Sequence, residues 1–183
     1  MPRFGFVVEG ASDEKAVKEI ARKCFGVRCD IETRSWAERG GLNRRFDISL
    51  EEFRDLNIDK AFVVRDSDGK DPVQLKRNME AKISGRPQYP FSVSFEFAIQ
   101  ELEAWFLADH DAISRAIGRP VERIADQIEE LTSPKDDLQA ILSRARITYT
   151  PEVARKIANA IDPEVVARRC PAFGDLCQAI ADC

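Results

Sequence analysis

Strand-like and helical segments alternate through the first hundred residues, and this alternation constrains the fold more than any other feature. Strand patterns occupy residues 4–8, 28–34, 61–64 and 91–99, and helical patterns occupy residues 13–23, 49–56 and 72–83. Because neighbouring parallel strands need crossover helices, this order favours a mostly parallel sheet with helices on both faces. We therefore predict a three-layer α/β/α fold.

Local signals mark where three of these helices begin. Ser12 precedes the first helix, Ser49 and Glu52 form a capping-box sequence, and Asp71 stands directly before Pro72. These signals predict helix starts near residues 13, 49 and 72.

The pattern changes after residue 100. Helical periodicity dominates there, in residues 101–107, 111–117, 121–131, 135–145, 152–160 and 172–181. No strand pattern and no Gly/Ser-rich linker is found in this part of the sequence. We predict an α/β core at residues 1–100 and a helical extension packed on that core at residues 101–183.

No apolar run approaches the roughly 20 residues that span a bilayer. The first ten residues, MPRFGFVVEG, enter a strand pattern and lack the order of a signal peptide. We therefore expect a cytoplasmic protein with no membrane partner. Five cysteines, at positions 24, 29, 170, 177 and 183, form no C-x-x-C pair, and we interpret them as reduced, mostly structural thiols with Cys183 exposed.

The formal charge of -4 is distributed unevenly. Residues 1–100 contain 18 Lys and Arg against 17 Asp and Glu, whereas residues 101–183 contain 10 against 15. This distribution disfavours a protein that binds nucleic acid through a broad basic surface. It leaves open an enzyme that binds phosphates through metal ions and a local basic loop.

Acidic residues follow two of the predicted strands. Glu9 follows the first strand, and Asp66 and Asp68 follow the third. In an open parallel sheet, ligands bind outside the carboxyl ends of the strands, so these carboxylates share a crevice if the two strands are neighbours. Three carboxylates suit Mg²⁺ or Mn²⁺. The alternative is that E-G and D-S-D-G are simply turn sequences.

These residues resemble a known family. Residues 6–13, FVVEGASD, are similar to the glutamate motif of Toprim domains, and residues 63–68, VVRDSD, are similar to their strand followed by D-x-D. Toprim domains occur in topoisomerases, primases, ribonuclease maturases and overcoming-lysogenization-defect nucleases. The resemblance covers roughly the first hundred residues. It implies that the acidic residues bind Mg²⁺ and support phosphodiester chemistry.

A narrower resemblance extends over essentially the whole chain. Residues 101–109, ELEAWFLAD, residues 133–137, SPKDD, and residues 167–173, ARRCPAF, resemble the Toprim-like family called domain of unknown function 4276. This resemblance implies a fold and a metal site, and it implies no substrate.

Further acidic residues are candidates for the same site. Glu103 follows the fourth predicted strand and could add a fourth carboxylate or act as a general base, and Glu101 could do the same. One of them could instead cap the helix that begins there. Asp13 has a structural explanation as a first-turn partner of the helix dipole, yet the resemblance implies an acidic residue near the metal.

Basic residues near the aspartates are candidates for binding a phosphate. Lys70 and Arg65 flank Asp66 and Asp68, and residues 38–45 combine two glycines with three arginines, Arg39, Arg44 and Arg45. We predict substrate contacts for Arg44, Arg45 and Lys70. Structural salt bridges, or a solvated loop, are the alternatives.

Two functions remain open. The first is a Mg²⁺-dependent phosphodiesterase or phosphotransferase, and within this class we expect a nuclease acting on DNA or RNA, with Glu9, Asp66, Asp68 and Glu103 as catalytic candidates. The second is a binding or regulatory module that holds a metal-bound nucleotide or polyphosphate and partners an ATPase. A topoisomerase is disfavoured because Tyr89 and Tyr149 have no supporting context. A haloacid-dehalogenase-like phosphatase is disfavoured because its nucleophilic aspartate follows the first strand.

Overall fold

The computed structural model describes residues 1–26, 28–38, 40–123 and 127–182. The predicted roles of Arg39 and Cys183 lie outside these residues. The first part of the described chain alternates strands with helices. The elements are β1 (Arg3–Val8), α1 (Ala11–Phe25), β2 (Asp30–Ser35), α2 (Gly41–Phe53), β3 (Lys60–Asp66), α3 (Pro72–Ser84) and β4 (Ser92–Ala98).

The described residues after β4 form helices and no strand. These helices are α4 (Glu103–Ala108), α5 (His110–Ile117), α6 (Pro134–Arg144), α7 (Pro151–Ala160), α8 (Pro163–Arg169) and α9 (Pro171–Ala181). Among the described residues, no helix is both long enough and apolar enough to span a membrane.

The four strands form one parallel sheet in the order β2-β1-β3-β4. In the central pair, Phe4 lies opposite Lys60 and Val7 lies opposite Val63. The predicted parallel sheet is therefore confirmed. Since β1 and β3 are neighbours, the residues that follow them meet at the same edge of the sheet.

One face of the sheet is covered by α2 and α3. Val7 and Val63 of the strands pack with Phe46 and Leu50 of α2 in a buried core. The ring of Phe53, at the end of α2, lies so close to β1 that a Cβ atom at Gly5 would be 2.6 Å from it. Glycine at this position allows the helix to approach the strand closely.

The other face is covered by α1 and by the helices that follow β4. Phe6 and Phe62 of the strands, Trp105 of α4 and Phe173 of α9 belong to one continuous buried core. The rings of Trp105 and Phe173 pack edge to face, with centroids 5.3 Å apart. The sheet thus lies between two helical layers, and the predicted three-layer α/β arrangement is confirmed.

The second helix begins earlier than its capping-box sequence predicts. It starts at Gly41 because its buried residues, Leu42, Phe46, Leu50 and Phe53, recur at helical spacing and pack on the sheet. Ser49 therefore lies inside the helix, where its hydroxyl accepts a hydrogen bond from the indole N–H of Trp36 at 2.9 Å. The first helix begins at Ala11, with Gly10 as its N-cap in place of Ser12.

The helix predicted at residues 121–131 is wrong in the described part of that range. Residues 121–123 are not helical, and residues 128–130 form a single 3-10 turn. The backbone N–H of Val121 donates a hydrogen bond to the hydroxyl of Ser114, so this N–H has a partner although the segment is not helical.

The structure also contains a helix that we did not predict, α8. It is capped by the side chain of Asp162 and has Pro163 in its first turn.

A disulfide joins Cys24 of α1 to Cys177 of α9, with Cα atoms 5.0 Å apart. This finding corrects the prediction that the cysteines are reduced thiols. The two residues are 153 positions apart, and the packing of α9 beside α1 brings them together. Cys29 and Cys170 are free.

Candidate functional site

The site lies at the carboxyl edge of the sheet, where the loops after β3 and β4 are tied together. The backbone N–H of Ser67 donates to the carbonyl of Ala98, and the N–H of Asp68 donates to the carbonyl of Gln100. The N–H of Gln100 donates back to the hydroxyl of Ser67 at 2.9 Å. These bonds fix the end of β3 beside the start of α4.

Asp66 is the last residue of β3 and one of four clustered carboxylates, which we call the acidic group. This group comprises Glu9, Asp13, Asp66 and Glu103, which interact electrostatically around Asp66. Asp66 Oδ1 accepts a hydrogen bond from the backbone N–H of Leu102 at 2.8 Å. Burial raises the pKa of Asp66 well above its usual range, and its three acidic neighbours raise it further.

Asp13 and Glu103 form the inner side of the acidic group. Asp13 Oδ2 accepts a hydrogen bond from the backbone N–H of Gly10 at 2.8 Å, as its first-turn position in α1 allows. Burial, together with the charge of Glu103, raises the pKa of Asp13 to about 7. Glu103 is 1% exposed, and its Oε1 has no hydrogen-bond partner among the described residues.

Glu9 and Asp68 form the outer side of the site. Burial and the charge of Asp68 raise the pKa of Glu9, while Arg65 opposes the increase. The Nε atom of Arg65 is 3.7 Å from Glu9 Oε1, and its Nη1 donates to Asn43 Oδ1 at 3.2 Å. Asp68 is exposed and has a left-handed backbone, with φ of 49°.

Two residues of the site were not predicted from the sequence. The Nζ atom of Lys135, in the first turn of α6, is 3.5 Å from Glu103 Oε1. Burial alone would lower the pKa of Lys135, but Glu103 and the other carboxylates raise it above its usual range. Tyr149 lies just before α7, and burial raises the pKa of its hydroxyl, as does the adjacent Glu103.

The sequence contained a signal for one of these residues. Lys135 belongs to SPKDD, one of the segments that carry the family resemblance, and it could have been considered on that ground. Nothing in the sequence around Tyr149 distinguishes it from an ordinary core tyrosine.

A cleft of about 600 Å³ opens beside the acidic group. Its lining includes Glu9, Trp36, Asn43, Arg65, Asp68 and Lys70. The predicted substrate residue Lys70 therefore lies in the cleft, next to two of the predicted acidic residues. A molecule in this cleft would meet both carboxylates and cationic side chains.

The other two predicted substrate residues lie on α2 and contact an acidic side chain. Arg44 and Arg45 are 3.5 Å and 3.3 Å from the carboxylate of Glu38, which itself lines the cleft. Arg45 also stacks over the ring of Trp36, with its guanidinium carbon 5.0 Å from the ring centroid. Both arginines are therefore held near the rim by contacts within the protein.

The carboxylate oxygens of the acidic group are the type of donor that a hard divalent cation prefers. Four carboxylates whose negative charges repel one another gain stability from a cation, and the buried Glu103 Oε1 has no hydrogen-bond donor in the described chain. Within the described residues, no three or more histidine, cysteine, aspartate or glutamate side chains converge as a metal-ligand set. The described side chains could supply one or two carboxylates to a Mg²⁺ ion, and water would have to complete its coordination.

Comparison with known proteins identifies the family. Searches of curated proteins and of solved structures give no significant match. The family model described as "Domain of unknown function (DUF4276)" matches residues 8–181, which include strands β2 to β4, the acidic group and the helices after β4. The chain therefore belongs to the DUF4276 family.

Proposed function

We propose that this protein is a metal-dependent phosphodiesterase, and specifically a nuclease that cleaves DNA or RNA with Mg²⁺ or Mn²⁺. The observation that carries the proposal is the position of the acidic group. It lies at the carboxyl edge of the parallel sheet, beside a cleft that also contains Arg65 and Lys70. The similarity of residues 6–13 and 63–68 to Toprim motifs supports the same chemistry.

The side chains suggest a division of roles. Glu9 and Asp66 would hold the cation, with Asp68 able to contribute from the exposed side of the cleft. A bound Mg²⁺ would supply Lewis-acid polarisation of a phosphate and a more acidic water. Lys70, which lines the cleft, would bind the phosphate, and Arg65 would orient Glu9 through their ion pair. Glu103 has no access to solvent, which suits it to positioning more than to proton transfer with bulk water.

The two tyrosines support a phosphodiesterase over a topoisomerase. A nucleophilic tyrosine benefits from a lowered pKa or an adjacent base. The pKa of Tyr149 is raised by burial and by Glu103. Tyr89 packs on the opposite face of the sheet, under the guanidinium of Arg54. Neither residue is activated for attack on a phosphodiester.

A second candidate function is a module that binds a metal-bound nucleotide or polyphosphate and partners an ATPase. The absence of a converging set of three ligands among the described residues favours this reading. In such a site, the phosphates of the ligand would complete the coordination of the cation. Binding without turnover is the expected behaviour of such a module.

Cleavage assays distinguish the two functions. Plasmid, single-stranded DNA and RNA would each be incubated with metal-free protein and with protein in Mg²⁺ or Mn²⁺. The variants are Glu9→Gln and Asp66→Asn, and Glu80→Gln is the matched control because Glu80 is an exposed residue of α3. We expect metal-dependent cleavage by the wild type and by the control, with a loss of at least about 100-fold in the two site variants.

Absence of metal-dependent cleavage on all three substrates would contradict the nuclease proposal. If the same protein binds Mn²⁺ and a nucleotide without turnover, the binding module is the better description. Cleavage that survives both site variants would place the activity elsewhere or in a contaminant.

A further inference from the structure

The cleft beside the acidic group is bounded by the N-terminus of α2. Gly40 is the N-cap of this helix, has a left-handed backbone with φ of 66°, and offers no side chain to cap the first turn. That turn also contains no acidic residue. The first N–H groups of a helix lack partners within the helix and carry a partial positive charge. Since Gly40, Leu42 and Asn43 line the cleft, this positive end of the helix borders it.

A buried arginine lines the same cleft and has one unused donor. The Arg65 side chain is 9% exposed, and its Nε has no hydrogen-bond partner among the described residues. Glu9 Oε1 lies 3.7 Å from that nitrogen, which is beyond hydrogen-bonding distance. A buried N–H group without an acceptor is energetically costly, and an acceptor supplied by a ligand would remove that cost.

A hydrogen bond holds Arg65 at the beginning of α2. Its Nη1 donates to Asn43 Oδ1 at 3.2 Å, and Asn43 is the third residue of the helix. The guanidinium and the helix N-terminus are thus adjacent, and Lys70 lines the same cleft. Helix N–H groups, a guanidinium and an ammonium are donors that proteins commonly use to bind phosphate.

The cleft also contains three carboxylates, those of Glu9, Glu38 and Asp68. Glu9 is paired with Arg65, and two arginines of α2 lie 3.5 Å and 3.3 Å from the carboxylate of Glu38. These contacts reduce the repulsion that a phosphate would meet, without removing it. We therefore expect free phosphate to bind weakly and most tightly at low ionic strength.

We propose that the first turn of α2, Arg65 and Lys70 form a binding subsite for one phosphate group. Its fixed donors are the backbone N–H groups of Leu42 and Asn43 and the Nε–H of Arg65. The inference rests on the proposed function for its ligand, a phosphate of a nucleic acid or of a nucleotide, and specifies the residues that hold it.

The test is a titration of metal-free, ¹⁵N-labelled protein with inorganic phosphate, followed by two-dimensional NMR. The variants are Asn43→Asp, which places a carboxylate in the first turn and keeps an acceptor for Arg65, and Arg65→Gln, which removes the guanidinium. Asn78→Asp is the matched control because Asn78 is an exposed residue of α3 whose Oδ1 also accepts a hydrogen bond. Urea denaturation shows which variants are folded.

Phosphate should shift the backbone amide signals of Leu42 and Asn43 and the Nε–H signal of Arg65 more than signals outside the cleft. We expect Asn78→Asp to bind like the wild type and Asn43→Asp to bind at least about tenfold more weakly, because its carboxylate repels an anion at the helix N-terminus. The same carboxylate should raise the midpoint of urea denaturation without ligand. If Arg65→Gln does not fold, Asn43→Asp decides.

Two oligonucleotides identify the source of the phosphate. One is a short single strand with a 5′-phosphate, the other is the same strand without it, and each competes with inorganic phosphate in the same titration. Equal competition indicates a phosphodiester within the strand, and stronger competition by the phosphorylated strand indicates a terminal phosphate. Absence of competition by both strands would overturn the inference.

Two further results would also overturn it. One is the absence of phosphate binding at the cleft of the wild type, and the other is equal affinity in the wild type and Asn43→Asp. Either result leaves the nuclease proposal standing if cleavage depends on metal. Phosphate binding at these residues without metal-dependent cleavage would keep the subsite and remove the nuclease.

Discussion

Asp66 Oδ1 accepts a hydrogen bond from the backbone N–H of Leu102 at 2.8 Å, so one carboxylate both ends β3 and fixes the start of α4. This double role predicts that two substitutions of Asp66 differ. Asp66→Asn keeps a carbonyl acceptor for Leu102, whereas Asp66→Ala leaves that N–H without its partner. We expect Asp66→Ala to be less stable than Asp66→Asn by about 1–3 kcal/mol. Urea denaturation measures this difference.

Both Asp66 variants should lose metal affinity. We expect at least about tenfold weaker Mn²⁺ binding by calorimetry, since each removes a carboxylate from the acidic group. Equal stability of the two variants would show that the Leu102 bond contributes little. Unchanged Mn²⁺ affinity would remove Asp66 from the metal site.

Because the pKa of Asp13 is raised, we expect the free energy of unfolding to depend on pH in an unusual way. Its pKa is raised from 3.8 to about 7, so between these values the folded protein holds a proton that the unfolded chain has lost. The contribution of Asp13 to stability is therefore complete below about pH 4 and is lost as the pH rises through about 7. Urea denaturation of metal-free protein across this range should show the loss.

Asp13→Asn provides the control for this prediction. The variant cannot ionise, so its stability should change less between about pH 4 and pH 7 than that of the wild type. Mn²⁺ at about pH 8 should restore stability to the wild type, because the cation compensates for the ionised carboxylates. Identical pH profiles for the two proteins would argue against a raised pKa at Asp13.

Lys70 lies in the cleft, and we expect its substitution to weaken substrate binding without weakening metal binding. Lys70→Ala should raise KM for a nucleic acid by about tenfold and leave Mn²⁺ affinity unchanged, because the lysine would contact phosphate and not the cation. Lys76→Ala is the control because Lys76 is an exposed lysine of α3. A loss of Mn²⁺ affinity in Lys70→Ala would indicate a general electrostatic effect.

The disulfide between Cys24 and Cys177 predicts a redox-dependent stability. It closes a loop of 153 residues, and in the chain-entropy model its loss costs about 5 kcal/mol. Cys24→Ser and treatment of the wild type with a reductant should lower the free energy of unfolding by similar amounts. Cys29→Ser is the control because Cys29 is free. If the reductant lowers the stability of Cys24→Ser as strongly as that of the wild type, its effect does not come from the Cys24–Cys177 disulfide.

The parallel sheet and the outer side of the site could be predicted from local patterns. The strand patterns gave the positions of Glu9 and Asp66 at strand ends, and the prediction that they share a crevice was conditional on β1 and β3 being neighbours. The strand order meets that condition. Asp71 and Pro72 correctly marked the start of α3 because an N-cap acts within a few residues.

The inner side of the site depends on contacts between distant parts of the chain. Lys135 reaches Glu103 because α6 packs on α4, and no spacing in the sequence encodes that packing. The disulfide escaped prediction for the same reason. The start of α2 was misplaced because burial of Leu42 and Phe46 on the sheet outweighed a local capping sequence at Ser49.

One core is shared by α1, β1, β3 and the later helices, so the chain cannot be divided near residue 100 without splitting this core. Glu9, Asp13 and Asp66 come from the first hundred residues, while Glu103 and Lys135 come from the remainder. Neither portion contains the whole group of charges, and the hydrophobic contacts cross the same boundary. A gene fragment that ends near residue 100 would encode a sheet on which α1 alone covers the face that the later helices share. Recombination between relatives would have to transfer both portions together to transfer the site.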